Sequence, residues 1–165
     1  MEIDWHLLRT PKQIDEDAWK CVTDLSNDNL EWYKSMLEKC QSPIEQQMMA
    51  SFISHGMASA IHQQVPIGTY RVDFTLMSAG AFIVVECDGH EFHEKTKEQV
   101  ERDNKRDRYL QQEGWRVFRF SGSEIHNDAD KCVDEVLNAV YDVVEFNIRS
   151  TSPMEIQFLR KEAST

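Results

Sequence analysis

Between Ser42 and Phe146 the spacing of apolar residues switches repeatedly between helical and extended periods, and each switch marks the edge of an element. Ser42-Pro43-Ile44-Glu45 supplies an N-cap serine, a proline at N1 and a glutamate at N3. This capping box predicts a helix to about His55-Gly56 that buries Ile44, Met48 and Phe52. Ile61 to Ile67 and Thr69 to Met77 read as strands joined in a short hairpin across Pro66-Ile67-Gly68. In the second, Tyr70, Val72, Phe74 and Leu76 alternate with Arg71, Asp73 and Thr75, giving one apolar and one charged face. Ala81 to Val85 is a continuous apolar run, as in a central strand buried on both faces, and it ends abruptly in Glu86-Cys87-Asp88-Gly89-His90. A charged helix from about Thr96 to Glu113 stops at Gly114, and Trp115 to Phe120 forms another alternating strand. Val133, Val136, Val140 and Val144 mark an amphipathic helix from about Ala129 to Phe146. The order α-β-β-β-α-β-α predicts an α/β fold with one central mixed sheet flanked by helices.

The segment before Ser42 is acidic, with Trp5, Leu8, Ile14, Trp19, Val22, Leu30, Tyr33 and Leu37 at loosely helical spacing. The chain therefore divides into an N-terminal helical appendage (1–41), a core domain (42–148) and a C-terminal tail (149–165). Its 165 residues are enough for one domain with a normal core. A formal charge of −11 argues against a protein that coats nucleic acid or anionic membrane, so any nucleic-acid function has to come from a localised site. No apolar run reaches membrane-spanning length and the N-terminus lacks signal-peptide features, which predicts a cytoplasmic protein without a membrane partner. Cys21, Cys40, Cys87 and Cys132 lie far apart without a C-x-x-C, so no zinc or redox motif is offered.

Chemistry concentrates at the end of the apolar run. Glu86 and Asp88 are two residues apart and project from one strand face, beside a core in which unpaired charge is costly. A cation offsets that cost, and hard oxygen donors of this kind suit Mg²⁺ or Mn²⁺. Asp73, on the polar face of the adjacent strand, and Glu45, on the preceding helix, are placed to converge with Glu86. Four acids around a metal would hydrolyse a phosphodiester. Each acid except Glu86 also has a plain structural use. Glu45 caps its helix, as the recurrence of the pattern at Ser152-Pro153-Met154-Glu155 illustrates; Asp73 can pair with Arg71 or Arg116; Asp88-Gly89 can be a turn.

The pattern Arg71-Val72-Asp73-Phe74, Ile83-Val84-Val85-Glu86-Cys87-Asp88-Gly89 with His93 nearby, Asp103-x-x-Arg106, and Leu110-x-x-x-Gly114-Trp115-x-Val117-x-Arg119-Phe120 resembles the PD-(D/E)xK nuclease superfamily. Within it the chain is most similar to the branch of very-short-patch-repair endonucleases. The resemblance runs from about Ser42 to Phe120 and implies a restriction-endonuclease-like αβββαβ core. It further implies that Asp73 and Glu86 are the principal metal ligands and that Glu45 matches the acid of the first core helix. Asp88 stands where many members carry the lysine of E-x-K; an aspartate there would ligate metal or position its water. His93 is the candidate for proton transfer. The missing positive charge would come from His93, from Lys105 or Arg106, or from a second metal.

Between Lys95 and Arg119 eight bases face five acids, a net of +3, whereas residues 124–146 carry seven acids against Lys131. Gln99, Asp103, Arg106 and Leu110 share one helix face, which places Arg106 to meet a phosphate, with Lys105 of the same helix as the alternative contact. The acidic helical flanks are candidates for a protein partner or a homodimer contact. The expectation is thus a divalent-metal-dependent endonuclease acting on DNA more readily than RNA. Its rival is a catalytically silent nuclease-fold binding or assembly subunit.

Overall fold

The structure, a computed structural model, describes residues 15–23, 29–89 and 96–150, with residues 148–150 described by backbone alone. The elements are α1 (Glu16–Thr23), α2 (Leu30–Lys39), α3 (Pro43–Ser54), β1 (Ile61–Ile67), β2 (Tyr70–Ser78), β3 (Ala81–Asp88), α4 (Lys97–Gln112), β4 (Arg116–Ser121) and α5 (Gly122–Ser150). The strands form one sheet in the order β1-β2-β3-β4. The first two pairings are antiparallel and β3 with β4 is parallel, joined by α4 as the crossover. The stretch from α3 to β4 is the expected αβββαβ core, and the mixed sheet carries helices on both faces.

Local chemistry accounts for the element edges. The Ser42 hydroxyl accepts the Glu45 N–H, Pro43 opens α3, and Thr96 with Gln99 closes a reciprocal capping box on α4. The β1–β2 turn falls at Gly68-Thr69, two residues later than Pro66 suggests. Pro66 lies within β1, which is an edge strand and tolerates a missing ladder donor. Gly68 takes φ +59 there, and a side chain at that position would collide with the Tyr109 hydroxyl of α4.

One sheet face is covered by α3 and α5, with α1 and α2 packed behind. Met48, Phe52, Phe74, Leu76, Ile83, Val85, Val133 and Val136 join Val22, Leu37 and Cys40 in this core. The other face is partly covered by α4, where Leu110 packs on Val72 and Val84 beside Tyr109, Trp115 and Val117. Two expectations need correcting at this level. Val72 does not share the face of Phe74 and Leu76; it joins the α4-side cluster. The cause is a local inversion opposite Asp73, where Gln64 of β1 takes φ +53 and breaks the two-residue alternation of the paired strands. Nor is the run 81–85 buried throughout: Phe82 is half exposed, its ring T-shaped to that of Trp115 with centroids 5.8 Å apart. α5 also begins seven residues before the predicted Ala129. It is interrupted at Asp128 (φ −163), whose carboxylate accepts the Lys131 N–H as an internal cap. Among the described residues, no helix is long and apolar enough to cross a membrane.

Candidate active site

β2 and β3 part company at the functional end of the sheet. Their ladder runs from Ser78↔Ala81 to Phe74↔Val85 and goes no further. β3 continues because β4 supports it from the other side, pairing Glu86↔Arg119, Cys87↔Phe120 and Asp88↔Ser121. In the opening the Cys87 N–H donates to Asp73 Oδ2 at 2.8 Å, so a side chain completes the hydrogen bonding that the β2 backbone no longer supplies. This bond fixes the Asp73 carboxylate against β3.

Glu86 shares the α4-facing side of β3 with Val84, two residues earlier. It is only 4% exposed. Arg106 of α4 donates through Nη2 to Glu86 Oε1, and the same nitrogen donates to the Arg71 carbonyl at 2.6 Å. Next to it, Arg119 Nη2 donates to Asp107 Oδ1 at 2.8 Å. Asp73, Glu86, Asp88, Gln99, Asp103, Arg102, Arg106 and Arg119 line a cavity of about 370 Å³ between the sheet edge and α4.

Burial dominates the electrostatics. Loss of water raises the Glu86 pKa first and the neighbouring Asp73 charge raises it further; Arg106 only partly compensates, and the carboxyl is pushed up to about 8. Asp73 is also raised by burial, against the opposing Cys87 N–H and the charges of Arg106 and Arg71. At neutral pH the pair therefore holds a proton, with the Glu86 carboxyl as a hydrogen-bond partner of Asp73.

Glu45 occupies a different niche. Its carboxylate accepts from the Gln41 N–H (2.9 Å), the Ser42 hydroxyl (2.9 Å) and Gln64 Nε2 (2.8 Å), and it does not line the cavity. Burial, then the charge of Asp73, raise its pKa, so it lies within electrostatic reach of the pair. Of the expected acids, the structure brings Asp73, Glu86 and Asp88 to one cavity and leaves Glu45 behind it. Among the described residues, no three His, Cys, Asp or Glu side chains close into a ready-made metal cage. The Asp73–Glu86 pair still fits Mg²⁺ or Mn²⁺, because such ions are commonly held by one or two carboxylates with water and substrate phosphate completing the shell. The fit rests on the chemistry of the donors: two hard oxygen groups, sparsely compensated, whose charged forms burial disfavours.

Arg106 faces the cavity as its helical register with Gln99 and Asp103 suggests, whereas Lys105 is exposed and does not line it. His93, with its neighbour His90, lies outside the described residues. Sequence reasoning missed Arg102 and Arg119 as cavity residues. Arg102 is one turn before Arg106 and was legible from that spacing. Arg119 becomes visible only through the parallel β3–β4 register that sets it opposite Glu86.

The REase_MTES_1575 family model matches residues 44–140, which run from the first turn of α3 well into α5 and include every cavity residue named above. The uncharacterized protein YcjD of Escherichia coli (strain K12) is 35% identical over 91 residues, covering 55% of this chain and 68% of that protein. No solved structure matches.

Proposed function

Because the chain belongs to the REase_MTES_1575 family of restriction endonuclease-like proteins, we propose that it is a divalent-metal-dependent endonuclease that hydrolyses phosphodiester bonds in DNA. The observation that carries this reading is the Asp73–Glu86 pair, Glu86 buried and Asp73 half-buried, at the split between β2 and β3, facing a cavity whose opposite wall is arginine-bearing. Two adjacent acids without full compensation are an expense to the fold that a bound cation removes.

Asp73 and Glu86 would hold Mg²⁺ or Mn²⁺. Such an ion, when bound, stabilises charge on the phosphate and makes a coordinated water a better nucleophile. Asp88, one strand repeat beyond Glu86 and lining the same cavity, orients water from its carboxylate. Arg106 and Arg102 meet the scissile and adjoining phosphates, and Arg106 supplies the positive charge that the superfamily's usual lysine would carry at position 88. Arg119, fixed by Asp107, keeps positive charge beside Glu86 throughout. Glu45, tied to Gln64, supports the inverted segment of β1 behind Asp73. His93 is the proposed proton donor to the leaving oxygen. The kinship with very-short-patch-repair endonucleases rests on Glu86-x-Asp88-Gly89 followed by histidine.

The test is cleavage of supercoiled, linear and single-stranded DNA with Mg²⁺ or Mn²⁺, wild type beside Glu86→Ala. Equal activity from the variant sinks the assignment. One observation favours a silent assembly subunit instead: Arg106 already pairs with Glu86. Calorimetry separates the two readings, since a silent module does not bind Mn²⁺ at millimolar concentration.

A further inference from the structure

Arg106 bridges the two strands that carry the acids. One guanidinium nitrogen serves both Glu86 Oε1 on β3 and the Arg71 carbonyl on β2, while its Nε–H is buried and has no partner among the described residues. Arginine binds carboxylates best as a fork, with two parallel N–H donors on one group. Here the fork is not used, and a buried donor is left over, so Arg106 is held in place by the negative charge of the acid pair more than by matched hydrogen bonding. Arg119 contrasts with it, since its guanidinium is engaged by Asp107 and sits opposite Glu86 in the strand register. The base of Arg106 is rigid, because Leu110 one turn on is fully buried against Val72 and Val84. Its side chain, by contrast, lines an open cavity beside Arg102, one turn back.

Building on the nuclease reading, we propose that Arg106 is the resident cation of the metal-free acid pair and competes with the divalent ion for Glu86. Arg106 gives up Glu86 and turns toward a substrate phosphate when a divalent ion takes Asp73 and Glu86. Two cations crowded on one buried carboxylate repel each other, and a phosphate in the cavity offers the displaced fork the two-oxygen partner it lacks. Divalent ion and DNA then help each other to bind, and linkage makes the help reciprocal. Without DNA the site resists occupation by stray divalent ions.

The experiment is calorimetric titration of the full chain with Mn²⁺, without DNA and with a non-cleavable duplex, for wild type, Arg106→Met and Arg106→Lys. Arg106→Met is expected to bind Mn²⁺ about tenfold tighter than wild type without DNA, to lose the added affinity that DNA confers, and to cleave more slowly at saturating Mn²⁺. Arg106→Lys keeps the charge but gives up one of the two acceptors, so it falls between them and decides the question alone should the methionine variant not fold. Mn²⁺ binding equal to or weaker than wild type in the folded variants overturns the competition and leaves the nuclease reading standing. No Mn²⁺ binding by wild type or variants overturns both.

Discussion

Glu86→Gln tests whether the acid pair is the electrostatic weak point of the fold. In the folded chain the Glu86 carboxyl is pushed up to about 8, against an ordinary value of 4.5. Below pH 4.5 the group is protonated folded or unfolded, and its contribution to stability is complete. Between 4.5 and 8 the unfolded chain releases the proton while the folded chain keeps it, so rising pH favours unfolding by up to ~1.4 kcal/mol per unit. The total loss is on the order of 5 kcal/mol by pH 8, undiscounted because the side chain is almost wholly buried. At roughly 2–4 °C per kcal/mol for a chain of this size, the melting temperature falls by on the order of 10 °C. Glutamine reproduces the neutral acid: its amide donates toward Asp73 and its carbonyl accepts from Arg106. The variant therefore melts higher than wild type at pH 8 and loses most of the slope, keeping the remainder contributed by Asp73 and Glu45, both raised by burial. Thermal unfolding followed by circular dichroism in EDTA from pH 4 to 8.5 measures this. Addition of Mg²⁺ or Mn²⁺ at pH 8 restores wild type, by about 2.7 kcal/mol at a hundredfold excess over the dissociation constant, and leaves Glu86→Gln unmoved. A wild-type slope that survives unchanged in the variant refutes the reasoning.

The packing beneath the site is equally open to test. Leu110→Ala, which empties the centre of the α4-side cluster, is expected to cost about 2–5 kcal/mol in urea unfolding; a loss below 1 kcal/mol contradicts the view that this residue anchors α4. Gln64→Val places a β-branched residue at φ +53 and is expected to destabilise by about 1–3 kcal/mol, whereas Gln64→Gly relieves the backbone and loses only the bond to Glu45. Equal stability of the two variants removes the strain argument. DNA affinity, followed by fluorescence anisotropy against salt, should give a log–log slope of about −2, as expected for phosphate contacts from Arg102 and Arg106. A slope near −8 places the DNA on a much larger basic surface than the cavity offers.

How much of this was legible beforehand differs by residue. The start of α3 was readable because Ser42-Pro43-x-Glu45 is local chemistry: the Ser42 hydroxyl accepts the Glu45 N–H as the spacing implies, although the Glu45 carboxylate turns to the Gln41 N–H and the Ser42 hydroxyl instead of closing the box. Glu86 was readable as an acid with no structural excuse at the end of an apolar strand. The inversion at Gln64 was hidden, because a left-handed conformation at a residue other than glycine leaves no mark in the sequence. That concealment misplaced Val72, whose apolar identity fits either face. Arg119 needed the topology, since its position opposite Glu86 follows from parallel pairing between residues 33 positions apart in the chain. Glu45 was readable as a cap and as a candidate ligand alike; its three hydrogen bonds and its position outside the cavity separate those roles.

The same split in the sheet explains how a chain with a net charge of −11 builds a site for a polyanion. Had the β2–β3 ladder continued past Phe74, backbone groups would have met the Cys87 N–H and Asp73 would have had no place against β3. Because the ladder stops, one carboxylate enters the opening as a hydrogen-bond acceptor; burial raises its pKa, and burial followed by its charge raises that of Glu86. The resulting local excess of negative potential attracts a cation, first Arg106 and, in the proposed cycle, a divalent ion that brings a phosphate with it. The arginines that would receive the phosphate, Arg102 and Arg106, project from α4, which flanks the open end of β3. Attraction for DNA is thereby confined to one cavity and made conditional on the metal, while the acidic remainder of the surface repels nucleic acid that approaches from elsewhere.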